Sequence, residues 1–209
     1  MVALAGGSTP GRLYELMSQQ PLRAHTDWTK WHVFWGDDRM VPPSDPNSNV
    51  LLAQQNLLAR VPIPSARVHR VPTELGDPDL AAAQYEQEIR AVFDPKPGEV
   101  PRFDLILQGL GSDGHTASLF PGFPTLDEQE RLVVGSPPGT LPPPVPRVTF
   151  TLPLINAART VVFLVAGGDK APIVAQVLAG DTSLPATRVR PVDGELWWFV
   201  DAAAASLLA

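Results

Sequence analysis

Four short apolar runs in this chain share one pattern, in which the run ends in glycine and polar residues follow at once. They occupy residues 2–5, 32–35, 103–108 and 160–166. Short apolar runs bounded by turn residues are typical of strands covered on both faces of a parallel sheet. Helical stretches lie between or after them. This alternation predicts an α/β fold: one domain with a doubly wound, mostly parallel, Rossmann-like open sheet and helices on both faces.

The predicted helices have recognisable ends. Ser8 and Thr9 are expected to cap a helix over residues 10–19, whose apolar stripe is formed by Leu13, Leu16 and Met17. Further helices are predicted at residues 49–60, 78–93 and 170–179, the last closed by Gly180.

The carboxyl-terminal half adds strand-like runs at residues 131–135 and 147–151, separated by a surface loop at 136–146 that is rich in proline and glycine. Residues 196–200 read as a core strand whose tryptophans pack inside. Asp201 is expected to begin a short alanine-rich terminal helix.

Composition narrows the class of protein. The 209 residues suffice for one packed domain, and 44% apolar content supports a true core. The absence of cysteine excludes disulfides, a thiolate nucleophile and a zinc–thiolate site, and fits a reducing cytoplasm.

Charge and hydropathy bear on partners and location. A net charge of -6 and a pI near 5.1 argue against a nucleic-acid partner. The first residues do not resemble a signal peptide, and no apolar run has the length of a membrane span. We therefore expect a cytoplasmic protein without nucleic-acid or membrane partners, either a monomer or a weak homodimer.

The turns after the four strands should lie close together, because the carboxyl ends of parallel strands share one edge of the sheet. These turns are residues 6–9, 36–39, 109–115 and 167–170. They are expected to face a single crevice.

The first turn has the composition of a phosphate site. Gly6, Gly7, Ser8 and Thr9 place free backbone N–H groups and two hydroxyls at a helix start, where the positive end of the helix attracts anions. Lys170 and Arg147 could add charge-assisted contacts to a phosphoryl dianion. The alternatives are a capped turn without a ligand and two solvated surface cations.

His115 differs from the other histidines because it lies in a glycine-rich loop after a strand. We expect it to act as a general base on water, with Arg39 stabilising the developing negative charge. No two histidines have metal-ligand spacing, so no catalytic metal is expected. A competing interpretation makes Asp37, Asp38 and Arg39 a surface ion pair.

This loop matches two well-known motifs only in part. Gly109, Gly111 and Gly114 match the dinucleotide fingerprint G-x-G-x-x-G, but Pro121 and Pro124 leave too little room for the helix that it requires. In addition, no acidic residue ends the next strand-like run. Ser112 is not an elbow serine, because a leucine precedes it by two positions where that motif has glycine.

The motifs together resemble those of the 6-phosphogluconolactonases, relatives of the glucosamine-6-phosphate deaminases, almost from end to end. In the family's order they are Gly-Gly-Ser-Thr-Pro at 6–10, Gly-Asp-Asp-Arg at 36–39, Ser-Asn at 48–49, Gly-Leu-Gly-Ser-Asp-Gly-His-Thr-Ala-Ser-Leu-Phe-Pro-Gly at 109–122, Pro-Arg-Val-Thr at 146–149 and Gly-Asp-Lys at 168–170. The set is far more specific than any one member.

The resemblance implies hydrolysis of 6-phospho-D-glucono-1,5-lactone to 6-phosphogluconate in the pentose phosphate pathway, without a cofactor. It implies that His115 activates water and that Arg39 with Asp37 organises the lactone end. The phosphate of this phosphorylated sugar lactone would be held by residues 6–9 together with Arg147 and Lys170.

The chain departs from the family at two points. Asp38 stands where relatives usually have glutamate, whose side chain is one methylene longer. Relatives also usually carry a helix and a strand before the first glycine turn, which residues 1–209 are expected to lack.

Two other functions are alternatives for this chain. The sister deaminases continue the Asp-Gly-His turn toward Ala-Phe-Asn-Glu, whose acid assists ring opening, whereas residues 116–120 supply no acid here. A non-catalytic sugar-phosphate sensor is the second alternative, although no helix-turn-helix precedes the first strand.

Overall fold

A computed structural model describes residues 1–139 and 143–208 of the chain. Part of the predicted 136–146 loop therefore lies outside the described residues. The strands are β1 (Val2–Leu4), β2 (Val33–Trp35), β3 (Asp37–Arg39), β4 (Leu105–Gln108), β5 (Val133–Ser136), β6 (Arg147–Phe150), β7 (Thr160–Val165) and β8 (Glu195–Val200). The α-helices are α1 (Ser8–Met17), α2 (Leu22–His25), α3 (Asn49–Ala53), α4 (Pro78–Phe93), α5 (Leu152–Asn156) and α6 (Ala171–Leu178).

The main sheet has five parallel strands in the order β2-β1-β4-β7-β8. The strand order reverses between β1 and β4, because the chain leaves β1 toward β2 but leaves β4 toward β7. In open α/β sheets, ligands bind outside the carboxyl ends of the strands at this reversal. The predicted doubly wound fold is confirmed.

Helices cover both faces of this sheet. On one face, Tyr14 of α1 and Ala53 of α3 pack against alternate residues of β1, β2 and β4. On the other face, Tyr85 and Ile89 of α4 and Val174 of α6 close the larger core around β4 and β7. No helix within the described residues is long and apolar enough to cross a membrane.

A second, antiparallel sheet of three strands in the order β3-β6-β5 continues from β2. Gly36 separates β2 from β3, and its carbonyl accepts a hydrogen bond from the N–H of Phe150 at 2.8 Å. This small sheet brings Arg39 and Arg147 to opposite positions of one ladder, at the rim of the main sheet.

Several sequence predictions are wrong in detail. The Ser8–Thr9 cap does not form: α1 begins at Ser8 behind Gly7, and no side chain of the described residues caps it. Of the predicted stripe, Leu13 and Met17 are partly buried and pack against the core, whereas Leu16 is exposed; the fully buried residues of the helix are Pro10, Gly11 and Tyr14. The helix predicted over 49–60 is α-helical only to Ala53 and widens to a π-helix over Gln54–Leu58.

The carboxyl-terminal segment differs most from its predicted structure. β8 is an edge strand rather than a core strand, because within residues 1–139 and 143–208 it pairs with β7 alone. Trp197 is 53% exposed, and Trp198 alone of the two stacks inward, on Phe163. Beyond Asp201 the described residues form turns rather than a helix. The Asp201 carboxylate accepts from the N–H of Ala204, as a helix cap does, but the segment is too short to propagate a helix.

Candidate active site

Turns after β1, β2, β4 and β7 line one cavity of about 270 Å³ at the carboxyl edge of the main sheet. All nine residues predicted for the site border it: Gly6, Gly7, Ser8, Thr9, Asp37, Arg39, His115, Arg147 and Lys170. From the fourth turn Ala166 and Lys170 contribute. The topology thus brings together residues that are far apart in the sequence.

One wall of the cavity is formed by the start of α1. Because no side chain caps this helix, its first N–H groups and the hydroxyls of Ser8 and Thr9 are available at the cavity. Such a helix start favours an anion.

Gly6 packs against Asn49 of α3, a residue to which the sequence analysis gives no role in the site. A Cβ atom at Gly6 would lie 1.9 Å from Oδ1 of Asn49, so only glycine fits there. The same Oδ1 accepts a hydrogen bond from Nη1 of Arg39 at 2.9 Å, and Nδ2 of Asn49 donates to the Asp37 carbonyl at 2.9 Å. Asn49 belongs to the Ser-Asn motif, but the surrounding sequence predicts no more than the start of a helix there. Ser48 caps that helix.

Asp37 and Asp38 are both buried, so the surface ion-pair interpretation is wrong. Asp37 accepts hydrogen bonds from Oγ of Ser118 at 2.7 Å and from Nδ2 of Asn49 at 3.3 Å. Its side chain is therefore held from two sides at the cavity wall.

Asp38 points away from the cavity and organises the backbone. Its Oδ1 accepts from the N–H groups of Arg39 and Asn49, both at 2.8 Å, and its Oδ2 accepts from Oγ of Ser48 at 3.2 Å. Burial raises the pKa of Asp38 to about 6, although the two backbone hydrogen bonds oppose that shift. The residue ties β3 to the start of α3.

His115 lies at the cavity, with 17% of its side chain exposed, and its ring packs beside Phe120. Its Nδ1 lies 2.5 Å from Oδ1 of Asp113. A Cβ atom at Gly111 would lie 2.0 Å from Nδ1, so the turn closes around the ring only with glycine there.

Asp113 was missed as a functional residue, although it stands two positions before the histidine. A carboxylate that accepts the Nδ1 proton fixes the tautomer and leaves the Nε2 lone pair for a proton. No hydrogen-bond partner of Nε2 is recorded within residues 1–139 and 143–208. The pair has the composition of an oriented general base.

Three cations surround the same cavity in a chain of net charge -6. Arg147 is 3% exposed, so its interpretation as a solvated surface residue is wrong, and its guanidinium lies 5.4 Å from the centre of the Phe120 ring. Burial lowers the pKa of Arg147; the carboxylate of Asp37 opposes this shift, and the like charge of Arg39 opposite adds to it. Because like charges placed opposite each other are unfavourable, this arrangement is suited to an anionic ligand.

The loop between Gly109 and Phe123 contains turns and a bridge between Thr116 and Leu119, and no helix. The geometry that a dinucleotide fingerprint requires is therefore missing. No group of three metal-ligating side chains occurs within the described parts of the chain.

Comparison with known proteins agrees with this geometry. The sequence profile of the family described as glucosamine-6-phosphate isomerases/6-phosphogluconolactonase matches residues 1–198. The chain belongs to this family. A 6-phosphogluconolactonase of Nostoc sp. is 47% identical over 212 aligned positions, which cover 100% of this chain and 84% of that protein.

Solved structures of the glucosamine-6-phosphate isomerase/6-phosphogluconolactonase family share the fold. A 6-phosphogluconolactonase from Trypanosoma cruzi superposes with a TM-score of 0.89 at 33% identity, covering 100% of this chain and 84% of that one. A monomeric glucosamine-6-phosphate deaminase reaches a TM-score of 0.83 at 19% identity, over 99% of this chain and 87% of that one, which is a likeness of fold alone.

Proposed function

We propose that this chain hydrolyses 6-phospho-D-glucono-1,5-lactone to 6-phospho-D-gluconate, as a cytoplasmic enzyme of the pentose phosphate pathway that needs no cofactor. The observation that carries the proposal is that His115, whose Nδ1 is paired with Asp113, borders one cavity together with three cations. The relatives named 6-phosphogluconolactonase support the same activity.

The phosphate of the substrate binds at the start of α1. There the N–H groups of the first turn and the hydroxyls of Ser8 and Thr9 donate hydrogen bonds to it. Arg147 and Lys170 add charge from β6 and from the turn after β7. This end of the site provides affinity and sets the position of the sugar ring.

His115 performs the chemistry at the other end. Its Nε2 takes a proton from water as the water oxygen attacks the C1 carbonyl, and Arg39 stabilises the negative charge that develops on the carbonyl oxygen. The bond between C1 and the ring oxygen then breaks, and the proton passes to that oxygen as it becomes a hydroxyl. Asp37, held by Ser118 and Asn49, orients the lactone end.

Deamination or isomerisation is the less favoured reaction for this site. The deaminases use an acid in the turn after Asp-Gly-His, and here that segment ends in Leu119 and Phe120, both buried. Phe120 packs on the His115 ring instead of supplying a carboxylate.

The test is acid release at constant pH from freshly prepared 6-phosphogluconolactone, with the uncatalysed rate subtracted. We expect strong acceleration for the phosphorylated lactone and a much higher KM for glucono-1,5-lactone, which lacks the phosphate. Lys170→Met should raise KM for the first substrate and leave hydrolysis of the second unchanged. A rate no faster than the background would refute the proposal.

A further inference from the structure

A buried amide at the edge of the cavity uses only part of its hydrogen-bonding capacity. Gln108 is the last residue of β4, is 1% exposed and borders the cavity. Its Oε1 accepts a hydrogen bond from Oγ1 of Thr116 at 2.7 Å, whereas its Nε2 is buried without a partner in the described residues.

Stability does not account for a glutamine at this position. A buried polar group left without a partner costs about 1–3 kcal/mol. A leucine of similar size would fill the same space, next to Ile106 and Leu107, without that penalty. The one hydrogen bond that the amide makes within the described residues is what a leucine at this position would remove.

That hydrogen bond leads to the turn that carries His115. Thr116 follows the histidine directly and is fully buried, and its Oγ1 also lies 2.9 Å from the carbonyl oxygen of Gly109. The hydroxyl therefore connects the end of β4 to the far end of the glycine turn. The turn itself is closed by a hydrogen bond from the N–H of Gly111 to the His115 carbonyl at 2.8 Å.

The next residue shows that this segment is held under strain. Ala117 has a φ of 47°, a left-handed conformation that costs a non-glycine residue about 1–2 kcal/mol. Such strain persists only where the surroundings impose it. Two side-chain hydrogen bonds flank Ala117: Thr116 donates to Gln108, and Ser118 donates to Asp37.

We infer that Gln108 is a positioning residue, which acts through Thr116 to hold the His115 imidazole toward the cavity. The inference rests on the proposed function, since His115 is taken there as the general base. Gln108 touches no reacting atom in this account. Loss of Gln108 should lower kcat and leave KM nearly unchanged, because the residue aligns the base without contacting the phosphate end of the site.

The test compares Gln108→Leu with Thr116→Val, which removes the other half of the same hydrogen bond. We expect each variant to lose about 10- to 100-fold in kcat with little change in KM. The double variant should lose no more than either single variant, because both interrupt one link. Gln108→Leu should also unfold at an equal or higher urea concentration than the wild type.

Thr73→Val is the matched control, because Oγ1 of Thr73 is likewise buried without a partner in the described structure but does not border the cavity. It should leave kcat unchanged. An unchanged kcat in Gln108→Leu, or losses that multiply in the double variant, would overturn the inference.

A second readout does not depend on turnover. The imidazole NMR signals of His115 should shift in Gln108→Leu and in Thr116→Val, but not in Thr73→Val. If the wild type shows no lactonase activity, the proposed function fails, and the His115 signals still decide on Gln108: unchanged signals would mean that it does not position the ring.

Discussion

The Asp113 carboxylate decides what the His115 imidazole can do. A carboxylate 2.5 Å from Nδ1 keeps the proton on that nitrogen and leaves Nε2 as the proton acceptor. Asp113→Asn can present an N–H to Nδ1 and so favours the other tautomer. We expect kcat for lactone hydrolysis to fall by about 10²-fold or more.

Ser112→Ala is the control for this prediction, because Ser112 lies in the same turn and is exposed. Its kcat should equal that of the wild type. Steady-state kinetics of the three proteins checks the prediction, and full activity in Asp113→Asn would show that His115 needs no such partner.

Asp38 makes stability depend on pH. Its pKa in the folded chain is about 6, against 3.8 ordinarily, so the folded state binds this proton more tightly than the unfolded state does. The ionised carboxylate therefore destabilises the fold above pH 6, and this penalty disappears as the pH falls from about 6 to about 4.

Asp38→Asn removes this titration but keeps an oxygen for the N–H groups of Arg39 and Asn49. Relative to the variant, the free energy of unfolding of the wild type should rise by about 2.5 kcal/mol between pH 7 and pH 4. Urea unfolding at several pH values measures it. Parallel pH profiles for the two proteins would contradict the assigned pKa.

At the level of elements, β8 shows that an apolar run in the sequence does not indicate how many strands will pair with it. The residues of β8 lack the lysines, prolines and bulges that commonly mark edge strands, so the run suggested a core position. The sheet topology is what shows that β7 is its one neighbour in the described part of the chain.

The two adjacent tryptophans of β8 should differ sharply in their effect on stability. Trp198 stacks on Phe163 with ring centres 4.0 Å apart, whereas Trp197 is 53% exposed and its Nε1 donates to Glu195. We expect Trp198→Ala to lower the free energy of unfolding by about 2–3 kcal/mol and Trp197→Ala to change it by less than about 0.5 kcal/mol. Equal losses in urea unfolding would mean that something covers the outer face.

The strands and the meeting of their turns could be predicted from the sequence, because hydrophobic runs ending in glycine carry that information locally. The Ser8–Thr9 cap was mispredicted because a hydroxyl before an apolar stripe looks the same whether it caps the helix or faces a ligand. Asn49 and Gln108 could not be assigned from the sequence, because their partners Arg39 and Thr116 lie on other elements or across a turn.

Across the whole molecule, the cavity concentrates positive charge in an acidic protein. Arg39, Arg147 and Lys170 reach it from three different elements, and the start of α1 adds its partial charge. A lactone that carries a phosphate on an uncharged ring would fit this site, because its phosphate would bind the cations and its carbonyl would react with the base. Binding and chemistry should therefore be separable by mutation.

The direct test is to measure both properties on the same His115→Gln protein. Calorimetric titration with 6-phosphogluconate reports binding, and acid release from fresh 6-phosphogluconolactone reports turnover. We predict that kcat falls by about 10²-fold or more while Kd changes by less than about threefold. Wild-type turnover in His115→Gln would contradict the account, since the imidazole would then not be the base at the centre of the site.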